Sequence, residues 1–245
     1  MNALFVTGTD TGVGKTLATA ILALSLRATG RSVAVLKPFA TGAQLEGGEW
    51  IAEDARFLRE ALDSRQKLAE ISPICLAEPL APLVAARRAG IDTQKWPQIA
   101  DKALQKLRKK YDFVVIEGVG GVLVPVCEVD DELWTVADFI SAWGAPAVVV
   151  ARRTLGTLNH TLLTARETPN FAGVLFCDAA PVAPDDLAAQ TSPDFLAQMG
   201  LPVWGHIPFQ SDLSAANLQN IARDLSLDWE AILNPPRSQV EVFDD

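Results

Sequence analysis

Short apolar runs rich in β-branched residues alternate along the chain with longer segments of helical periodicity. The runs cover residues 4–6, 32–36, 112–116, 145–151, 172–176 and 201–207. The clearest amphipathic segments cover residues 17–26, 52–63, 96–109 and 155–168. Strands of a parallel sheet are buried on both faces, so they read as continuous apolar runs. The pattern therefore predicts βαβ units, in an α/β fold with a mostly parallel sheet and helices on both faces.

The chain length fits a single domain of this class. It has 245 residues, of which 49% are hydrophobic, so a sizeable core is available. We place the domain at residues 1–233 and predict a loosely ordered tail at 234–245. Residues 39–50 and 178–194 are rich in glycine, proline and acidic residues, which predicts mobile surface loops there.

The net charge and the cysteines limit the kinds of partner and the cellular location that the sequence allows. The net charge of −9 argues against binding to nucleic acid or to a membrane surface. The three cysteines, Cys75, Cys127 and Cys177, are widely spaced, so we expect buried thiols rather than a disulfide or zinc framework. The first apolar run begins too early for a signal peptide, and none is long enough to span a membrane. These features predict a cytoplasmic protein.

Residues 8–16 read GTDTGVGKT and directly follow the first apolar run. This is the G-x-x-x-x-G-K-[ST] phosphate loop, placed between a predicted strand and a predicted helix as the motif requires. Its glycines let backbone N–H groups surround phosphate oxygens, Lys15 reaches the terminal phosphates, and Thr16 offers a hydroxyl to Mg²⁺. The sequence therefore predicts a single-domain P-loop NTPase that binds a nucleoside triphosphate with Mg²⁺.

Charged residues follow two further predicted strands, at the sheet edge where ligands bind in open α/β folds. Lys37 could neutralise a transferring phosphoryl group or an anionic substrate, or it could simply snorkel at the sheet edge. Glu117 ends an apolar run and precedes glycines, which is typical of a Walker-B carboxylate that holds Mg²⁺. Asp54 begins a predicted helix, and its spacing alone favours a helix-terminal role over metal binding.

Taken together, these motifs resemble the dethiobiotin synthetase family over nearly the whole chain. The most specific are Thr-Asp-Thr before the loop glycine, Lys37-Pro38 with Thr41-Gly42, and the segment from Leu155-Gly156 to Asn159-His160. Further matches are Asp54, Glu78-Pro79, Pro82, Glu117-Gly118, Gly120-Gly121, Gly205 and Ile207-Pro208. The resemblance implies ATP- and Mg²⁺-dependent ring closure of 7,8-diaminononanoate with CO₂, through a carbamate and a carbamic–phosphoric anhydride, in biotin biosynthesis.

The resemblance also implies a role for each matching residue. Lys15 and Lys37 are the implied catalytic cations, and the implied metal ligands are Thr16, Asp54 and Glu117. The implied nucleotide-binding residues are Gly12, Val13, Gly14, Lys15, Thr16, Leu17, Asp54, Glu117, Gly118, Val119, Gly120, Cys177, Asp178, Ile207, Pro208 and Phe209. The implied substrate-binding residues are Thr11, Thr41, Gly156, Thr157 and Asn159, the last three acting across a homodimer interface.

Two positions depart from the family pattern. Gly12 stands where many members carry glutamate, and Cys177 aligns with the asparagine that contacts adenine. A thiol is a poor hydrogen-bonding partner for a base edge, so Asp178 or the backbone near Pro208 would have to read the base. We therefore predict a loose preference among nucleoside triphosphates.

The main alternative is a P-loop switch ATPase of the partition or septum-positioning class. Those proteins carry a second lysine near the start of the loop, where this chain has Asp10. A cobyrinate-type amide synthetase is a second alternative, but it would need an added glutaminase domain with a nucleophilic cysteine. Phosphate release that depends on the diamine and bicarbonate would distinguish a synthetase from a switch.

Overall fold

Six parallel strands form the central sheet of the computed structural model, which describes residues 2–233. Within residues 2–233 the chain forms twelve strands, six of which make up this sheet. The twelve are β1 (Ala3–Gly8), β2 (Val33–Leu36), β3 (Phe39–Thr41), β4 (Gln44–Glu46), β5 (Glu49–Ile51), β6 (Ile74–Leu76), β7 (Phe113–Glu117), β8 (Pro125–Val129), β9 (Glu132–Thr135), β10 (Ala147–Ala151), β11 (Phe171–Cys177) and β12 (Val203–Ile207). The helices are α1 (Lys15–Ala28), α2 (Glu53–Ala61), α3 (Leu68–Ile71), α4 (Pro82–Ala89), α5 (Trp96–Arg108), α6 (Val136–Trp143), α7 (Thr157–Glu167), α8 (Leu187–Gln198), α9 (Ala215–Asp224) and α10 (Trp229–Leu233).

The strand order of the central sheet is β12-β11-β10-β1-β7-β2. All neighbouring strands in it run parallel, and each of the six predicted apolar runs lies in one of them. The α/β prediction is therefore confirmed. After β1, the chain adds β2 and β7 on one side of β1, and later adds β10, β11 and β12 on the other side. The connections therefore run in opposite directions from β1. Such a switch point opens a crevice beyond the carboxyl ends of the strands, where ligands bind.

Both faces of the sheet are covered by helices, as predicted. Leu4 and Val6 of β1 pack into the apolar layer that contains α1 and α9. Ala3 and Phe5, which point the other way, pack into the layer that contains α5 and α6. Because successive strand residues face opposite layers and both layers are apolar, the strand must be hydrophobic at every position.

The predictions of surface loops at 39–50 and 178–194 are wrong in part. Phe39 and Ala40 are buried in β3, which pairs in parallel with β6, and β4 and β5 form an antiparallel hairpin. Strands of three residues are too short to show a period, and the partner of β3 is distant in sequence. In the second segment α8 begins at Leu187, and the Asp186 carboxylate caps it by accepting the Ala189 N–H at 3.0 Å. The predicted tail, 234–245, lies outside the described residues.

The expectation of buried thiols is confirmed for two of the three cysteines. Cys127 and Cys177 are buried, Cys75 is half-buried, and all three are free thiols. Within residues 2–233, none of the helices has both the length and the apolar character needed to cross a bilayer.

Candidate functional site

A cavity of about 740 Å³ lies beyond the carboxyl ends of β1, β2 and β7. This volume is within the usual range of small-molecule sites. The predicted site residues that line it are Thr11, Gly12, Gly14, Lys15, Thr16, Leu17, Lys37, Thr41, Asp54, Glu117, Val119 and Gly120. Its other lining residues are Pro79, Leu80, Ala81, Val124 and Ala179. Of these, only Pro79 belonged to a motif noted in the sequence, because apolar wall residues carry no chemical signal.

The conformation of the phosphate loop depends on Gly14, which packs against the thiol of Cys177. Gly14 precedes α1 with φ +93°, a left-handed conformation that side chains other than glycine rarely adopt. A Cβ built on Gly14 would also collide with Sγ of Cys177, which is fully buried at the end of β11. The loop glycine is therefore required both by backbone conformation and by the close approach of β11.

Lys15 is the first residue of α1 and lies almost completely buried beneath the loop. Its Nζ donates to the backbone carbonyl of Asp10 at 2.7 Å, which holds the ammonium inside the curve of the loop. Burial lowers the pKa of Lys15 from 10.5 to about 8, although the nearby Glu117 carboxylate favours the charged form. Bound phosphate would place further negative charge beside the ammonium and raise this pKa again.

We expect the affinity for nucleoside triphosphates to fall as the pH rises above about 8, where the Lys15 ammonium of the free protein titrates. Since bound phosphate raises the pKa, binding takes up a proton at pH values between the free and bound pKa. The affinity for the nucleotide is highest below the pKa of the free protein. It falls between the two pKa values and is at its lowest above the pKa of the complex. Calorimetry in buffers of different ionisation enthalpy measures the uptake. Lys15→Arg, which stays charged, should show none; uptake equal to that of the wild type would assign the proton elsewhere.

Lys37 contacts both of the carboxylates that the family resemblance assigns to the metal. Its Nζ donates to Glu117 Oε1 at 2.7 Å and makes a short hydrogen bond to Asp54 Oδ2. Thr16 Oγ1 donates to the same Glu117 Oε1 at 2.8 Å. These four side chains come from β7, α1, α2 and the segment after β2, so the fold gathers distant parts of the chain at one point.

Burial and the neighbouring charges shift the pKa values of Lys37 and Glu117 in opposite directions. Burial disfavours the Lys37 ammonium, but the Glu117 and Asp54 carboxylates outweigh it and raise the pKa of Lys37 above 10.5. Burial raises the pKa of Glu117, while the Lys37 ammonium acts in the opposite direction. The second oxygen of Glu117, Oε2, is buried without a hydrogen-bonding partner among the described residues. A buried carboxylate with one unpaired oxygen is suited to accept a further cationic ligand.

This donor set fits Mg²⁺. Thr16, Asp54 and Glu117 offer only oxygen atoms, which a hard cation prefers. Within residues 2–233 no group of three or more His, Cys, Asp or Glu residues gathers at a potential metal site. The protein thus supplies two carboxylates and a hydroxyl, and phosphate oxygens and water would complete an octahedral shell.

The residues assigned to the base lie apart from the cavity lining. Cys177 points beneath the phosphate loop, as described above. The Asp178 carboxylate is held by Arg153, whose Nη2 donates to Oδ2 at 2.6 Å, and by His206 Nε2, which lies 2.7 Å from the same oxygen. These hydrogen bonds lower the pKa of Asp178 even though burial opposes the charged form. Val13, Gly118, Ile207, Pro208 and Phe209 also lie outside the lining.

Gly156, Thr157 and Asn159, which the resemblance assigns to substrate binding, lie at the start of α7, within the amphipathic segment 155–168. Gly156, with φ +94°, precedes α7, and Leu155 just before it is 92% exposed. Asn159 is exposed, whereas Thr157 is buried, with its hydroxyl 3.2 Å from that of Thr161. None of these residues lines the cavity of the same chain.

Comparison with known proteins gives a consistent assignment. A family model described as an AAA domain matches residues 2–217. The chain is 34% identical to the ATP-dependent dethiobiotin synthetase BioD of Thermodesulfovibrio yellowstonii, over 94% of this chain and 98% of the relative. It is 42% identical to the protein of the same name from Streptomyces avermitilis, over 85% of this chain and 84% of the relative.

A solved structure extends the comparison to the fold. The MinC:MinD cell division protein complex of Aquifex aeolicus contains a chain that superposes with a TM-score of 0.50 at 15% identity, covering 92% of this chain and 96% of that one. At this identity the likeness shows a shared P-loop fold alone. Sequence identity above 30% over nearly the full length is a stronger link, and it places the chain in the ATP-dependent dethiobiotin synthetase family.

Proposed function

We propose that this chain converts 7,8-diaminononanoate and CO₂ to dethiobiotin with ATP and Mg²⁺. The observation that carries the proposal is the meeting of Lys15, Lys37 and the oxygen ligands of Thr16, Asp54 and Glu117 around one cavity. A carbamate and a triphosphate are both anions, so cations must bring them together before they react. The family membership supplies the substrate class.

In the proposed reaction, one amine of the substrate adds to CO₂ and loses a proton, which gives a carbamate. In the first phosphoryl-transfer step a carbamate oxygen attacks the γ-phosphorus, and the bond between that phosphorus and the β–γ bridging oxygen breaks to release ADP. Lys15 and Lys37 bind and orient the two reacting anions, and Thr41 and Thr11, which line the same cavity, hydrogen-bond the carbamate or diamine end. Mg²⁺, when bound, neutralises phosphate charge. No covalent bond to the enzyme is needed, since the residues act by positioning and charge stabilisation.

In the proposed second step, the other amine of the substrate attacks the carbon of the mixed anhydride. The carbon–oxygen bond to phosphate breaks, the ring closes, and the amine proton is lost as inorganic phosphate leaves. The apolar walls formed by Leu80, Val124 and Val119 would exclude water, which would otherwise hydrolyse the anhydride.

A homodimer is part of the proposal. The amino-terminal end of α7, with Gly156, Thr157 and Asn159, lies away from the cavity of its own chain and exposes Leu155 beside it. A helix N-terminus favours a carboxylate, so a partner chain could hold the far end of the substrate there. Light scattering would give the mass of the assembly. The cytoplasmic location stays a prediction.

Nucleotide selectivity is expected to be low. The Cys177 thiol is buried beneath the loop, and both oxygens of Asp178 are engaged by Arg153. Both side chains are buried and lie outside the cavity lining, so neither is presented to a base. Discrimination should therefore fall well below the ~10⁴-fold that a hydrogen-bonding site reaches. The selectivity is measured as the ratio of kcat/KM values for ATP, CTP and GTP. The same ratios in Cys177→Ser, a substitution of similar size, serve as the control. A preference for ATP above roughly a thousandfold would mean that the backbone near Pro208 reads the base.

The activity is tested directly with purified protein, diaminononanoate, MgATP and ¹³C-bicarbonate. We expect dethiobiotin that carries one ¹³C atom, together with phosphate release that requires both the diamine and bicarbonate. Omitting the diamine is the matched control. Phosphate release that ignores both substrates, with no labelled product, would favour a P-loop switch ATPase instead.

A further inference from the structure

The Lys37 ammonium sits on the oxygens that the metal would use. Its Nζ bonds Asp54 and Glu117 Oε1, and Thr16 Oγ1 donates to that same Oε1. In a P-loop the hydroxyl at this position is a metal ligand. A metal ion held by Thr16, Asp54 and Glu117 would therefore bind the same carboxylate oxygens that the ammonium contacts.

Two cations cannot share this position. A magnesium ion would lie about 2.0–2.1 Å from its oxygen ligands, whereas the ammonium lies 2.7 Å from Glu117 Oε1. The Lys37 and Glu117 side chains are buried, so repulsion between the cations is weakly screened. Glu117 Oε2 has no partner among the described residues, so the ion pair leaves this carboxylate half satisfied.

We propose that Lys37 is a tethered counter-ion of the metal site, which a divalent cation displaces from Asp54 and Glu117 so that the ammonium turns into the cavity. There, resting on the proposed function, it meets the transferring phosphoryl group. The charge of Lys37 thus reaches the phosphoryl group only when the metal is in place, so the metal controls a catalytic residue in addition to binding phosphate.

The backbone around Lys37 allows this movement to be confined to the side chain. Its N–H donates to the Ile71 carbonyl at 2.7 Å, and its own carbonyl accepts the Ser72 hydroxyl at 2.9 Å. The Cα is therefore fixed, while the four-carbon stem borders the cavity that Thr41 and Lys15 also line. The movement therefore needs rotation about side-chain torsions only, once the ion pairs of Lys37 with Asp54 and Glu117 are broken.

Metal binding to the nucleotide-free protein tests the exchange. Mn²⁺ is titrated into the wild-type protein and into Lys37→Met, and the concentration of free Mn²⁺ is measured at each point by electron paramagnetic resonance. Removing the tethered cation leaves two carboxylates without their partner, so Mn²⁺ should bind Lys37→Met at least about tenfold more tightly. Lys106→Met, which removes the same charge from an exposed pair with Glu70, should stay within about twofold of wild type. Equal or weaker Mn²⁺ binding by Lys37→Met would overturn the proposal.

A second measurement uses the unaltered protein and decides the matter if Lys37→Met does not fold. In a crystal structure with Mg²⁺ and a non-hydrolysable ATP analogue, Lys37 Nζ should lie beyond hydrogen-bonding distance of Glu117 Oε1. An ammonium still bonded to that oxygen beside a bound metal would refute the exchange. Neither experiment contains the diamine or bicarbonate, so its failure is distinct from a failure to make dethiobiotin.

Discussion

Replacing Lys37 with alanine should lower dethiobiotin turnover by about 10²–10³-fold, the usual cost of removing one contact to developing charge. Nucleotide affinity should change little by comparison, because the phosphate loop and Lys15 lie on other elements and remain in place. The loss should therefore appear mainly in kcat. Steady-state kinetics gives kcat, and a fluorescent nucleotide analogue gives the affinity.

Lys106→Ala is the control for Lys37→Ala, since it removes an equal charge from an exposed ion pair far from the cavity. It should leave both kcat and nucleotide affinity unchanged. A Lys37→Ala enzyme that kept most of its ring-closing activity would remove Lys37 from the chemistry. An equal loss in nucleotide affinity would instead mean that Lys37 supports the loop rather than the transferring group.

Replacing Glu117 with glutamine should raise the Mg²⁺ concentration needed for half-maximal activity by roughly tenfold to a hundredfold, with partial rescue by excess Mg²⁺. The amide keeps the shape of the carboxylate but loses its charge. Among residues 2–233, Lys37 then keeps the half-exposed Asp54 as its one anionic partner. Activity measured against Mg²⁺ concentration at saturating nucleotide shows the shift.

Thr16→Val should shift the Mg²⁺ requirement in the same direction, since it removes a hydroxyl ligand without changing charge. Glu70→Gln is the matched control for Glu117→Gln, because its carboxylate forms an ion pair with Lys106 at the surface. An unchanged Mg²⁺ requirement in Glu117→Gln would exclude this carboxylate from the metal shell.

The sheet was predictable from the sequence because burial on both faces leaves a simple trace. The runs that became β1, β7 and β10 are almost entirely apolar, as expected of parallel strands that are covered on both faces. Lys37 and Glu117 followed from the same reasoning, since the carboxyl ends of parallel strands meet at one edge. What the sequence could not give was their mutual contact, which depends on side-chain geometry.

Other features left no local signal. The pairing of β3 with β6 joins segments that are distant in sequence, and each strand has only three residues. Asp178 was a candidate base contact because it neighbours Cys177, but its engagement with Arg153 and His206 depends on the adjacent ends of β10 and β12. Residues such as Ala179 and Val124 enter the cavity wall through shape alone.

Alkylation of the Cys177 thiol, which lies beneath the phosphate loop, can be used to measure local unfolding at the loop. Sγ of Cys177 has no solvent exposure, and burial raises its pKa to about 12, so a reagent can reach and react with it only after the loop lifts from β11. The alkylation rate, divided by that of an exposed cysteine at the same pH, gives the equilibrium constant for the opening that exposes Cys177. Nucleotide should slow alkylation of Cys177 in proportion to its occupancy, whereas the half-buried Cys75 provides an internal reference on a different element.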